Sequence, residues 1–540
     1  MFWSSPLTWI LLVPAIGGVV TYAVPQKASR WIALIASALT LIVSLVPFFI
    51  IVNEHGMTGF GNIQQLPMSV NLPWVSFTAG SMHFQVRYFL GIDGLSLSMV
   101  VLNAFLTMLT IISGWNKPRV KDYMAILLLL EAGVMGVFMA MDLFLFFLFW
   151  EVELAPTFLL IGIWGSERVR RGVPGRVYSA WKFLLYSFFG SIFMLIGILV
   201  LYFTNVAHGG TPTASMVYFA QHIQSYQLPL FGWMIGSQLL IFLLIFVAFA
   251  IKIPMFPFHS WLPDVYTDAP TETSVMLSGV LSKMGAYGLI RICLGLFPQG
   301  VNQFSGALMA FAVINIIYGA LICLAQKNMK RTVAYSSFSH MGIILLGVAA
   351  AAGASNGIFT GQSAEAFRQA ALVGAIFQMF AHGIITGLLF FCEGVIYDRA
   401  QTRDVTAFGG VAKRMPFLAA LFLLGSMASL GLPGLAGFVS EYIVFTASFR
   451  IWTVVTIISA FTMILTAAYL LWIVKRVFFG TFNSKWDKLA DVNLREAIPL
   501  MALAAVIVIV GVYPTPIIHV IQPCVTQIMH TASIAVALNK

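Results

Sequence analysis

From Leu7 to about Tyr513, apolar stretches of membrane-crossing length follow one another with little interruption. A hydrocarbon core roughly 30 Å thick takes about 20 helical residues per crossing, and an α-helix satisfies its own backbone where no water can. Fourteen such stretches can be delimited, at 7–24, 30–52, 91–113, 122–140, 142–164, 178–203, 235–258, 270–294, 303–325, 332–352, 370–395, 415–446, 452–478 and 497–515. Composition agrees: 60% of the 540 residues are hydrophobic and 9% are charged, too few charges to cover a water-soluble chain of this size. The expected fold class is therefore all-α, a polytopic membrane protein of about 14 transmembrane helices. No polar linker divides it, so residues 1–540 read as a single membrane domain. The first stretch lacks a basic flank and a small-residue cleavage site, and is expected to be a retained helix.

Charge placement gives an orientation. Of the 29 Lys and Arg residues, 21 fall in the connections after stretches 1, 3, 5, 9, 11 and 13, whereas only Arg87, Arg368, Arg450 and Lys540 fall on the opposite side. The positive-inside rule then places the odd-numbered connections in the cytoplasm and both termini on the other face. The net charge of +10 is thus a topological signal, and it forms no basic patch with interleaved aromatics that would suggest nucleic acid. Cys293, Cys323, Cys392 and Cys524 lie far apart with no CxxC spacing, which argues against an iron–sulfur cluster or a zinc site. They are expected to be ordinary buried apolar residues.

Two stretches break the helical pattern. Pro254 and Pro257 interrupt stretch 7, Pro263 follows it, Pro270 opens stretch 8, and "GLPGLAGFVSE" at 431–441 interrupts stretch 12. Pro254 cannot donate to the Ala250 carbonyl, Pro257 to that of Ile253, or Pro433 to that of Ser429. Such freed acceptors persist at membrane depth only where protein or water satisfies them, so the breaks are expected to line a hydrated cavity within the bundle. Interrupted helices five apart also suggest a repeat, over stretches 4 to 8 and 9 to 13.

Ionisable residues inside these stretches cost free energy and are functional candidates for that reason. They are Glu131 (stretch 4), Glu151 and Glu153 (5), Lys182 (6), Lys252 (7), Lys283 (8), Glu393 (11) and Glu441 (12). Ser274, Ser278 and Ser282 form a stripe beside Lys283, and Gln378, His382 and Thr386 form another that extends to Glu393. His340 follows Ser336 and Ser337 by one turn. Each charge could equally be half of a structural ion pair, and serine stripes also serve helix packing. Asp93, Asp264, Asp268 and Thr271 are expected to cap helices near membrane boundaries. Burial disfavours a charge and an opposite charge nearby favours it, so a neighbour's approach can make a buried lysine hold or release its proton.

The segments "LGIDGLSLSMVVLNAFLT" (90–107), "DLFLFFLFWEVELAP" (142–156), "KFLLYSFFGSIFML" (182–195), "KIPMFPFHSWLPD" (252–264), "APTETSVMLSGVLSKMGAYGLIRI" (269–292), "AYSSFSHMG" (334–342) and "GLPGLAGFVSEY" (431–442) carry a resemblance. In order and content they resemble the subunit M (subunit 4) chains of respiratory complex I, the NADH:quinone oxidoreductase, within the antiporter-like, Mrp-related superfamily. The resemblance implies two inverted five-helix repeats, about 120–295 and 303–478, with helices 7 and 12 broken and a hydrated axis at mid-membrane. It also implies proton-transfer roles for Glu151, paired with Lys252, and for Lys283, Glu441, His340, His382 and Glu131. The implied partners are the L-like and N-like antiporter subunits of a membrane arm in the bacterial plasma membrane, together with lipid. No cofactor is implied for this chain: flavin, iron–sulfur clusters and quinone belong to partner subunits, and no dinucleotide fingerprint occurs here. This chain departs from the pattern in two places. Val265 and Tyr266 replace the usual Ala-His after "WLPD", and Glu153 adds a second carboxylate beside Glu151, which leaves open which of the two glutamates pairs with Lys252. A multisubunit sodium/proton antiporter or the membrane arm of a hydrogenase would share these charges, and both remain alternatives at this point.

Overall fold

A computed structural model describes residues 3–53, 66, 68–79, 82–222, 227–230, 233–353 and 362–537. Helices α1 (Pro6–Ala23) and α2 (Gln26–Asn53) pair beside α3 (Gly94–Ser113) and α4 (Val120–Met139), after a hairpin of strands β1 (Val70–Ala79) and β2 (Met82–Leu90). The hairpin is antiparallel with Val70 opposite Leu90, and its register shifts between Pro73 and Val75, where a proline withholds a ladder donor. Next come α5 (Leu143–Val152), α6 (Leu154–Trp164), α7 (Gly175–Ala207), the short α8 (Met216–His222) and α9 (Ser237–Lys252). The centre of the chain holds α10 (Leu262–Asp268), α11 (Thr271–Met276), α12 (Ser282–Gly288), α13 (Pro298–Ala325), α14 (Met329–Ala352) and α15 (Gln362–Ala400). Helices α16 (Pro416–Ser429), α17 (Ala436–Ile451), α18 (Thr453–Ile473), α19 (Leu494–Val512) and α20 (Thr515–Ala537) complete it.

Among the described residues, twelve helical segments are long and apolar enough to cross a membrane, two fewer than the stretches delimited from sequence. The two missing are the interrupted ones, represented by the shorter apolar helices α9 and α16. The windows of α14, α15 and the segment Thr271–Leu294 are wholly buried inside the protein, whereas less than half of those of α2, α7 and α18 is buried. The buried three form the spine of the bundle, and they carry Lys283, His340 and His382.

The breaks satisfy their backbone with protein groups. After α9, the Ala250 carbonyl accepts from the Met255 amide at 2.8 Å and the Ile251 carbonyl from the Trp261 indole at 2.9 Å. Asn315 on α13 takes the Phe256 amide at 2.9 Å. Of the three carbonyls expected to be freed, that of Ala250 thus finds its partner in a neighbouring amide. Between α16 and α17 the chain turns through Gly431 and Gly434, with φ of 73° and 88° that glycine adopts without strain. Gly437 then lets α17 abut the end of α16: a methyl group there would lie 2.0 Å from the Ala428 carbonyl oxygen. Gly437→Ala should push the half-helices apart and lower thermal stability by about 1–3 kcal/mol, the usual cost of overpacking, measured as a shift in denaturation midpoint of the detergent-solubilised complex.

The largest elements that escaped the sequence reading are a hairpin and a helix. The β1–β2 hairpin lies in what read as a polar connection, and α20 lies beyond the last delimited stretch. Helix α20 seats on the start of α3, where a methyl on Gly94 would lie 1.8 Å from the Val520 carbonyl oxygen. Asp93 caps α3 as expected, accepting from the Ser96 amide at 3.1 Å, and it also pairs with the fully buried Arg291.

Candidate functional site

Pro156 has no amide to offer the Val152 carbonyl, and the helix breaks just before it: α5 ends at Val152, α6 begins at Leu154, and Glu153 turns inward between them. Helix α4 passes so close that a methyl on Gly133 would lie 3.3 Å from the Glu153 nitrogen. Lys252 ends α9, and its amine is ion-paired with Glu153 Oε1. The Lys252 ammonium sits 5.4 Å from the Trp150 ring centroid and 5.0 Å from that of Phe183. Thr157 donates to Glu153 Oε2 at 3.2 Å, so both carboxylate oxygens are engaged.

The resemblance pairs Lys252 with Glu151 while the added Glu153 leaves the pairing open, and in this structure it is Glu153 that stands against the lysine. Two residues before Glu153, Glu151 lies on a different helix face and turns toward Ser191 of α7, with Oε1 buried and unbonded among the described residues. A two-residue offset on a helix is about 200° of rotation, so the two carboxylates leave the helix in different directions and in this structure only Glu153 contacts the lysine. Glu131 of α4 is fully buried, with both carboxylate oxygens unbonded among the described residues.

A second group begins at Lys283. A π-helical turn at Leu277–Leu281 separates α11 from α12 and frees main-chain carbonyls. The Leu277 carbonyl accepts from Tyr266 at 3.0 Å, and the Ser278 carbonyl accepts from the Lys283 amine. Tyr266, which stands where the family pattern has histidine, therefore holds the turn from which Lys283 projects. The Lys283 amine also lies 2.6 Å from His382 Nδ1 on α15. The His382 and His340 ring centroids are 5.5 Å apart. His340 meets Ser429 Oγ at 3.0 Å through Nε2, and its Nδ1 lies 3.2 Å from Glu441 Oε1. Ser440, beside Glu441, bonds Gln378 of α15. Lys283, His382, His340 and Glu441 thus form one buried file from α12 through α15 and α14 to α17. The file and the ion pair meet where α9 abuts α12: a methyl on Gly285 would lie 2.9 Å from the Ile253 nitrogen.

The family model described as "NADH:quinone oxidoreductase/Mrp antiporter, TM" matches residues 140–467, a span holding every member of both groups except Glu131. The NADH-quinone oxidoreductase subunit M of Rhodobacter capsulatus is 39% identical over 509 residues, 93% of this chain and 91% of that one. The chain belongs to this family. The resemblance drawn from its motifs is borne out, and within the NADH:quinone oxidoreductase/Mrp membrane subunits it groups with the M chains of complex I. Solved structures show the shared fold: a chain of respiratory complex I from Thermus thermophilus superposes with a TM-score of 0.80 at 24% identity, covering 98% of this chain and 99% of that one. A chain of the Mrp complex from Dietzia sp. reaches 0.80 at 20%, with both chains wholly covered.

The remaining intramembrane charges of this family member pair near the face that bears the basic connections. Lys182 contacts Asp264 Oδ2 at 2.9 Å, and Arg403 donates to Glu393 Oε1 at 2.9 Å, which takes Glu393 away from the His382 stripe. Asp264 and Asp268 do not cap α11, contrary to expectation; Pro270 stands at that position, and Thr271 is the first helical residue. Burial raises the Asp264 carboxyl, but hydrogen bonding and charge from Lys182, with Arg170 and Arg331, hold it below the ordinary range. Burial wins at Asp268, whose carboxyl is raised despite Ser179 and Arg170. Lys330, counted from sequence among the loop cations, is fully buried in α14, and its amine donates to the Ala269 carbonyl at 2.6 Å. A spacing signal was present: Lys330 and Ser337 are two helical turns apart on the face that leads toward His340.

Proposed function

We propose that this chain is the subunit M of a complex-I-type NADH-quinone oxidoreductase and carries protons through the membrane arm, driven by electron transfer in other subunits. The observation that supports this best is the buried file Lys283–His382–His340–Glu441 beside the Glu153–Lys252 pair. No redox group is needed in this chain; flavin, iron–sulfur clusters and quinone would belong to partner subunits, and L-like and N-like antiporter subunits would flank it. The basic connections orient it with both termini on the non-cytoplasmic face of the plasma membrane. Two repeats, about 120–295 and 303–478, each contribute one broken helix.

The Glu153–Lys252, Lys283–His382 and His340–Glu441 steps use groups already within contact distance. While Glu153 stays beside Lys252, the ammonium keeps its proton; when the pair separates in a dry site, the proton leaves. A charged Lys283 donates to His382 Nδ1, which places the ring's own proton on Nε2. Transfer of the lysine proton to Nδ1 with departure of the Nε2 proton returns His382 to a neutral ring. Nε2 has no hydrogen-bond partner among the described residues, which suits a bridging water toward His340. The Glu441 carboxylate then receives the proton from His340 Nδ1, which it faces, while Ser429 Oγ meets Nε2 and fixes the ring.

Purifying the chain with its companions from native membranes tests the assignment. A peripheral arm that oxidises NADH, with quinone reduction acidifying the lumen of inside-out vesicles, is the expected result. A purely membranous assembly that exchanges sodium for protons would replace it with the antiporter reading.

A further inference from the structure

The buried file receives protons from one face of the membrane, and its nearest titratable groups toward that face are not among the residues the resemblance singles out. A cavity of about 570 Å³ opens between the connections that come after α6, α10, α13 and α15. It is polar, and its lining includes Arg168, Arg170, Asp268, Lys327, Asn328 and Arg403. All four connections lie on the face assigned to the cytoplasm. At its inner wall Asp268 is 2% exposed, accepting from Ser179 Oγ at 2.7 Å and lying 3.0 Å from Arg170 Nε. Behind it the Ala269 carbonyl takes the Lys330 amine, which is wholly buried.

Lys330 shares one property with Lys283. Among the described residues the buried Lys252 and Arg291 each have a carboxylate at contact distance, whereas Lys283 meets only the Ser278 carbonyl and His382. Lys330 has one backbone carbonyl and, among the described residues, no ion-pair partner. A structural lysine in the protein interior is normally paired, because an unpaired buried ammonium costs several kcal/mol; one held by a neutral acceptor is poised to exist in either protonation state. Its surroundings are balanced in sign: Glu393 and Glu272 attract its charge, while Arg403 and Lys117 oppose it. Asp268 in turn faces Arg170, Asp264 and Lys330.

Beyond Lys330 the polar groups continue inward. Ser274 Oγ bonds the Pro270 and Tyr266 carbonyls at 3.0 and 2.8 Å, and Ser278 Oγ meets Ser337 Oγ at 3.1 Å. Ser337 lies two turns past Lys330 on α14, a rise of about 10 Å, and the Ser278 carbonyl holds Lys283.

We propose that Asp268 and Lys330 form a proton-loading station between the cytoplasmic cavity and Lys283. Asp268 takes a proton from cavity water, Lys330 passes one inward along the Ser274, Ser278 and Ser337 hydroxyls, and each is then reloaded from the side of the cavity. This rests on the proton-carrying function assigned to the file. Without the station, turnover depends on bulk protons reaching Lys283 directly, so it becomes sensitive to cytoplasmic pH.

The test uses the intact complex in inside-out vesicles, whose outer medium is the cytoplasmic side, with Lys330→Met, Lys330→Arg and Asp268→Asn. Pumping is measured between pH 6 and 9, and assembly is checked by native electrophoresis. Expected is near-normal pumping at pH 6 and a loss approaching tenfold per pH step above about 7 in all three variants, because direct supply tracks proton concentration. Arginine keeps the charge but cannot release a proton, so wild-type pumping in Lys330→Arg would reduce Lys330 to a structural cation and overturn the proposal. A uniform loss with the wild-type pH profile would overturn it equally. If the Lys330 variants fail to assemble, the pH profile of Asp268→Asn, which keeps the Ser179 bond, decides. Failure of the proton-carrying function itself would appear separately, as wild-type pumping in Lys283→Met.

Discussion

Lys283→Met should leave an assembled complex in which pumping through this subunit is reduced roughly a hundredfold or more, the loss expected when a positioned proton carrier is removed. Methionine nearly matches the lysine stem in volume and is tolerated in irregular cores, so packing around α12 survives. The Ser278 carbonyl that loses the amine still accepts from Ser282 Oγ at 3.1 Å, so no main-chain acceptor is stranded. What disappears is the one group that connects the π-helical turn to His382. Lys283→Arg should fail as badly, because a guanidinium donates hydrogen bonds but holds its proton at any physiological pH. The measurement is vesicle acidification per NADH oxidised, with enzyme content fixed by cofactor absorbance of the whole complex. Unchanged acidification in either variant would mean that the file is structural and that protons travel elsewhere.

The sequence disclosed the bundle because hydrocarbon imposes so few solutions: length and hydropathy located the twelve long apolar helices among the described residues, and proline located both interruptions. It disclosed the site for a related reason, since a charge inside an apolar run is costly and stands out against its neighbours. It failed where the local signal was ordinary. The β1–β2 hairpin carries no sustained apolar run, and α20 mixes polar residues such as Gln522, Thr526 and Gln527 into its apolar ones, so neither looked membrane-associated. Lys330 was missed because it comes soon after Lys327 in a run that resembles a loop, "QKNMKR"; only the packing of α14 beneath α10 removes it from solvent. Asp264 and Asp268 looked like caps because capping is the commonest use of an aspartate before a helix. The cations that claim them come from Arg170, Lys182 and Arg331, far away in sequence. Pair assignments of this kind depend on the azimuth at which helices pack, and one-dimensional spacing does not contain it.

The choice between Glu151 and Glu153 is the sharpest instance, and it yields the second large effect. Glu153→Gln should impair the complex more than Glu151→Gln does. Glutamine in place of Glu153 leaves the Lys252 ammonium 2% exposed with no carboxylate against it, and breaking a buried pair from one side costs about 3–5 kcal/mol. Lys252 would then give up its proton permanently or draw Glu151 across the face of the helix, and either change removes the alternation between holding and releasing. Pumping should fall roughly tenfold or more and thermal stability should drop. Glu151→Gln loses a carboxylate that already has one unbonded oxygen and touches Ser191 instead of the lysine; a glutamine can keep that hydroxyl contact, so stability should hardly change. Comparing denaturation midpoints and proton-to-electron ratios of the two variants in the same assembled complex separates the roles. If Glu151→Gln proves the more damaging in both measurements, the lysine must spend its working cycle against Glu151, and the Glu153 pair is then a resting arrangement that has to open before a proton moves.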